Sequence, residues 1–188
     1  SGAPEEGFLL FLAGRILPSK GLHLLLQAAA SRPDLPRLVV VGDLAAMPAY
    51  EREIRAMAPP DTVFLGFVDD PALLFGIALR ARAFVFPSLV EAMSMALLEV
   101  ISLGVPALVS DIPENRSVFE PAHVVFFHSG DAADLARGLR EILADPAGAA
   151  RRAAAAREFL ERSYRWPGIA RQYEETYRGV LAGQGGPN

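Results

Sequence analysis

Glu91 and Glu99 stand in the stretch PSLVEAMSMALLEVISLGVP with seven residues between them. Two carboxylates can serve as an acid and a base, or they can hold hydroxyl groups of a ligand. On one unbroken helix, eight positions advance about 12 Å, beyond the roughly 5 to 9.5 Å that separates the carboxyl pair of a glycoside hydrolase. The spacing therefore speaks against a hydrolytic dyad. If the chain is loop through Met93, with Ser94 as a cap and helix from Met95, both acids can line one crevice and grip different parts of a long ligand. Glu99 also interrupts the apolar run LLEVISL, and a buried carboxylate without a partner is costly.

A second chemical stretch, GRILPSKG, runs from Gly14 to Gly21. Gly14 leaves room for close backbone approach, and Arg15 carries a planar fork suited to phosphate oxygens. Lys20 is the sole lysine among 18 basic residues, which points to a place where a compact ammonium is wanted. It precedes a helix start, where free N–H groups and the helix dipole favour an anion. The alternative reading is a solvated loop with Ser19 as a helix cap. Neither a Walker loop nor a GxGxxG turn is present. In GFVDDP, Asp69 and Asp70 resemble a metal pair less than an Asp cap followed by Pro71 in the first turn. In SDIPENRSVF, Asn115 and Arg116 open a short helix at the crevice mouth, as a capped turn or as ligand contacts. His23, His123 and His128 lack metal-ligand spacing and read as structural.

Short, continuous apolar runs recur along the chain: FLLFLA, LVVV, VFLGF, AFVFP, PALVS and VVFF. Strands apolar on both faces belong to a parallel sheet covered by helices on both sides. Helical-period segments alternate with them, which predicts a doubly wound, Rossmann-like α/β domain of about six parallel strands with flanking helices. An Ala-Arg-rich helix follows, then a last helix from about Gly168 after Trp166-Pro167.

With 188 residues, 52% of them hydrophobic, the chain supports one sizeable core. Residues 1–7 read as a linker or tag remnant, 8–182 as the domain and 183–188 as a flexible tail. The opening SGAPEEG suggests a piece of something larger. A net charge of -4 with mixed signs offers no footprint for nucleic acid. The absence of cysteine fits a reducing compartment, so the cytoplasm is expected, and no apolar run approaches the roughly 18 to 20 residues of a membrane span.

Taken together, GRILPSKG, VGD, VFLGFV, PSLVEAMSMALLEVISLGVP and SDIPENRSVF resemble, in order and spacing, the C-terminal half of retaining glycosyltransferases of the GT-B type that carry an E-x7-E signature. That resemblance implies a domain binding a nucleotide-diphospho-sugar donor. It places Arg15 and Lys20 on the diphosphate, Glu99 on the ribose, Glu91 on the sugar, and the backbone of Met93, Ser94 and Met95 on phosphate or sugar. Gly14 would border the diphosphate, and the backbone of Gly66, Phe67 and Val68 would meet the base. Glu91, Arg15 and Lys20 form the implied catalytic set, with no cofactor and no metal. The implied partner is an N-terminal acceptor-binding domain, through which peripheral membrane association is conceivable. The family loop reads EGFG followed by Leu-Pro, whereas this chain has Glu91, Ala92, Met93, Ser94, Met95 and Ala96. Losing both glycines removes backbone freedom and room for a ligand, which modestly favours an alternative, a non-catalytic module serving assembly or regulation, against which intact Arg15, Lys20, Glu91 and Glu99 argue more strongly.

Overall fold

The computed structural model describes residues 7–164 except Ser31 and Pro33. The expected linker at the start, the helix from Gly168 and the tail lie outside the described residues. Six strands form one sheet: β1 (Phe8–Arg15), β2 (Leu38–Asp43), β3 (Val63–Gly66), β4 (Ala81–Phe86), β5 (Ala107–Ser110) and β6 (Val125–Phe127). The helices are α1 (Leu22–Ala30), α2 (Pro48–Met57), α3 (Pro71–Leu79), α4 (Met95–Ser102), α5 (Pro113–Val118), α6 (Ala132–Ala144) and α7 (Pro146–Ser163).

All strand pairs are parallel, in the order β3-β2-β1-β4-β5-β6. The apolar runs are continuous because alternate side chains feed two different cores. Leu9, Phe11, Val40 and Val85 pack under α1, α2 and α6, while Leu10, Leu12, Val41 and Phe84 pack under α4 and α7. The Ala-Arg segment is α7, and its small face, Ala153 and Ala156 with Leu160, is buried while most of its arginines are exposed.

From β1 the chain runs outward through β2 and β3, then returns to place β4 on the other side of β1. The reversal of winding leaves a crevice beyond the carboxyl ends of β1 and β4, the place where open α/β sheets bind ligands.

Candidate functional site

Arg15, the last residue of β1, is exposed, and the next residue, Ile16, is fully buried, its N–H donating to the Asp43 carbonyl at 2.8 Å. This anchor turns the chain into a 3-10 turn, Pro18–Lys20, closed by Gly21 in the left-handed region at φ 71. Ser19 does not cap α1, contrary to the alternative reading, because the turn and Gly21 separate it from Leu22. Its carbonyl instead accepts from the Leu89 N–H at 2.8 Å, across to the loop after β4. Gly21 presses against the same loop, for a Cβ on it would fall on the Pro87 carbonyl.

These two loops bring together the residues that the sequence singled out. Lys20 Nζ donates to Glu91 Oε1 at 2.7 Å, although 71 positions separate them. The Glu91 side chain retains 9% exposure and that of Lys20 28%, so the carboxylate is shielded while the ammonium still meets solvent. Glu91 is followed by an irregular loop and then by α4, which begins at Met95 with Ser94 as N-cap, as the sequence predicts. The Ser94 hydroxyl accepts from the Leu97 N–H at 3.4 Å. The Met95 and Ala96 N–H groups, first in the helix, have no intrahelical acceptor and no other protein partner among the described residues. With no positive-φ residue other than glycine among the described residues, Ala92 and Ser94 hold this loop without left-handed strain. Ser94, at one of the two positions where the family has glycine, supplies the cap that the sequence predicts.

The remaining candidates lie at the ends of β1 and β3 and in α4. Gly14 is exposed, its φ is not positive, and a Cβ there would meet nothing within 4 Å. The fold itself therefore does not require glycine at that position, and open space lies before it. The Arg15 guanidinium has no hydrogen bond or ion pair among the described residues. Gly66 ends β3 and Phe67 and Val68 follow it, three strand spacings from β4, which is roughly 14 Å. Phe67, Val90, Met93 and Met95 are large exposed apolar side chains on this end of the sheet. Glu99 lies in α4 and is half-buried, as are Leu98 and Ala96. It is therefore less enclosed than the apolar run LLEVISL suggests, because an eight-residue helix at the crevice edge has a partly open face. In contrast to Glu91, its carboxylate has no hydrogen bond or ion pair among the described residues.

Other candidates resolve as structural. Asp70 caps α3, accepting from the Ala72 N–H at 2.9 Å, with Pro71 in the first turn. The His23 ring meets the Tyr50 hydroxyl at 2.9 Å. Burial pushes the His23 imidazolium down against the opposing pull of Glu53, and burial pushes the Tyr50 phenol up, so both are neutral at pH 7. His123 stacks on Phe159, with ring centroids 4.8 Å apart, and His128 meets Asp111 at 3.2 Å. Arg116 lies over the Phe126 ring at 3.8 Å. No group of three or more His, Asp or Glu side chains suited to a metal occurs among the described residues, and none of their helices is long and apolar enough to cross a membrane.

Sequence reasoning gave no separate part to Gly21, Ser88 or Ser110. A glycine closing a turn before a helix and a serine at each of two strand ends were the available signals. The hydroxyl of Ser88 is buried and has no hydrogen-bond partner among the described residues, whereas its carbonyl accepts from Ser110 Oγ at 2.6 Å. Ser88→Ala is expected to raise stability by about 1 kcal/mol, since a buried hydroxyl without a partner carries its desolvation cost uncompensated. Chemical denaturation checks this, and a loss above about 1.5 kcal/mol would reveal a bond to the hydroxyl.

The family model for glycosyl transferases group 1 matches residues 1–159. Glycogen synthase of Mycobacterium tuberculosis is 31% identical over 191 residues, an alignment covering 95% of this chain and 44% of that protein. Sucrose-phosphate synthase of Thermosynechococcus elongatus has the same architecture at a TM-score of 0.81 and 26% identity, covering 95% of this chain and 46% of that one. HepE of Anabaena, solved with UDP and glucose, shares the fold at a TM-score of 0.82 and 21% identity, over 93% of this chain and 49% of its own. The chain thus spans less than half the length of each relative. It belongs to the group 1 glycosyl transferases.

Proposed function

We propose that this domain binds the nucleotide-diphospho-sugar donor of a retaining glycosyltransferase, and that transfer requires a second, acceptor-binding domain. The observation that carries the reading is the Lys20–Glu91 pair, set at the β1–β4 switch point beside the open N-terminus of α4. A cation, free helix N–H groups and a shielded carboxylate in one place match a ligand that is anionic at its middle and hydroxylated at its end. The solved HepE complex with UDP and glucose supports the assignment by likeness of fold.

In this reading Lys20 and Arg15 hold the diphosphate, together with backbone N–H groups from Met93 to Met95. Glu91 meets the sugar, Glu99 the ribose hydroxyls, and the backbone of Gly66 to Val68 the base. The roughly 14 Å from the β4 loop to the β3 loop suits an extended ligand of this kind. As the acceptor hydroxyl attacks the anomeric carbon, the bond to the diphosphate oxygen breaks on the same face. The acceptor proton passes to that leaving oxygen, while Lys20 and Arg15 stabilise the charge that develops there. No protein nucleophile is needed.

Titration of the isotope-labelled chain with uridine or guanosine diphosphate should shift the backbone amides of residues 14–21 and 93–99. Shifts confined to other surfaces would refute the assignment.

A further inference from the structure

Ser88, Ser110 and Asn115 are the buried polar residues among those described, and they join in one network. Asn115, 4% exposed, donates through Nδ2 to the Ser110 carbonyl at 3.0 Å and to Ser110 Oγ at 3.2 Å. Ser110 Oγ donates to the Ser88 carbonyl at 2.6 Å. The polarity is unambiguous. The carbonyl of Ser88 can only accept, so the one hydroxyl proton of Ser110 points there, and its oxygen can only accept from Asn115.

The Ser88 carbonyl and the Leu89 N–H belong to one planar peptide unit and point in opposite directions. On one side Ser110, at the end of β5, holds the carbonyl. On the other, Ser19, in the loop after β1, accepts from the N–H at 2.8 Å. That peptide plane is thus clamped between the end of β5 and the turn after β1, and Glu91 stands two residues beyond it. Burying this much polar surface carries a desolvation cost that apolar side chains in the same space would avoid.

We propose that Asn115 and Ser110 are positioning residues for the loop that carries Glu91. By fixing the Ser88–Leu89 peptide plane they set where the Glu91 carboxylate meets Lys20 and, on the donor-binding reading above, where the sugar and diphosphate lie. Asn115 thereby acts without touching the ligand.

The test uses the 188-residue chain, with Ser110→Ala as the variant of smallest volume change and Asn115→Ala as a second. In hydrogen exchange followed by NMR, the Leu89 amide should exchange about tenfold faster in Ser110→Ala, the effect of one lost hydrogen bond. The Phe84 amide, bonded to the Pro106 carbonyl at 2.8 Å, should keep its parent rate. The dissociation constant for uridine diphosphate should rise by about threefold to tenfold, and Ser110→Thr, which keeps the hydroxyl, should restore much of both effects. An unchanged Leu89 rate overturns the proposal, as does acceleration of Leu89 and Phe84 by the same factor, the mark of general destabilisation. Faster Leu89 exchange with unaltered nucleotide affinity overturns the role toward the ligand. If the parent chain binds no uridine diphosphate, the donor-binding reading fails, and the Leu89 rate alone decides whether Ser110 and Asn115 hold the loop.

Discussion

Replacing Gly21 by alanine should destabilise the chain by about 3 kcal/mol or more, summing left-handed strain and overpacking. At φ 71, an L side chain meets its own backbone unfavourably, and here the new methyl would also land on the Pro87 carbonyl. Backbone cannot rotate away as a flexible side chain can, so either the Pro18–Lys20 turn or the β4 loop must move. Gly66 separates the two contributions, for it has almost the same φ, 72, but open space where a Cβ would go. Gly66→Ala should therefore cost only about 1 to 2 kcal/mol, the left-handed strain alone. Denaturant midpoints at constant m-value measure both losses. Equal losses would mean that the contact between Gly21 and Pro87 is not tight.

Lys20→Ala should have two separable consequences. The first is on folding, because Glu91, whose side chain is only 9% exposed, loses its ionic partner and remains shielded from water. A cost of about 1 to 3 kcal/mol is expected, most of it recovered when Glu91→Gln is added, since the shielded charge then disappears. The second consequence is on the ligand. Uridine diphosphate should bind more weakly by about 1.5 to 3 kcal/mol, the scale of a charge-assisted hydrogen bond. Glu91→Gln alone should act in the opposite direction on that ligand. It frees the Lys20 ammonium from a competing carboxylate, and no sugar is present to miss the acid. Calorimetric titration of the three variants decides this. Equal affinity in parent and Lys20→Ala would remove the lysine from the phosphate site, and weaker binding in Glu91→Gln would show that the carboxylate supports the nucleotide directly.

The role of Lys20 in both effects depends on a contact spanning 71 positions, and that distance marks the limit of sequence reading. The start of α4 was legible because an N-cap is a local matter. Ser94 with the apolar period from Met95 defines it within a few residues, and the structure places cap and helix there. Asp70 before Pro71 was legible for the same reason. The degree of burial of Glu99 was not, because the run around it does not tell which helix face meets the sheet and which meets the crevice. Asn115 was readable as a turn residue at the crevice mouth, but not as a donor to Ser110, whose own hydroxyl is spoken for by Ser88.

From composition and pattern alone came the parallel α/β architecture, the helix starts and the residue types that suit a diphosphate, because hydrophobic period and capping act over a few neighbouring residues. The return of β4 to the flank of β1 did the rest. It joined Lys20 to Glu91, pressed Gly21 on Pro87 and clamped the Ser88–Leu89 peptide between Ser19 and Ser110. Those contacts follow from strand order, which is selected by the packing of the whole sheet against its two helical layers and leaves no trace in any short stretch of residues.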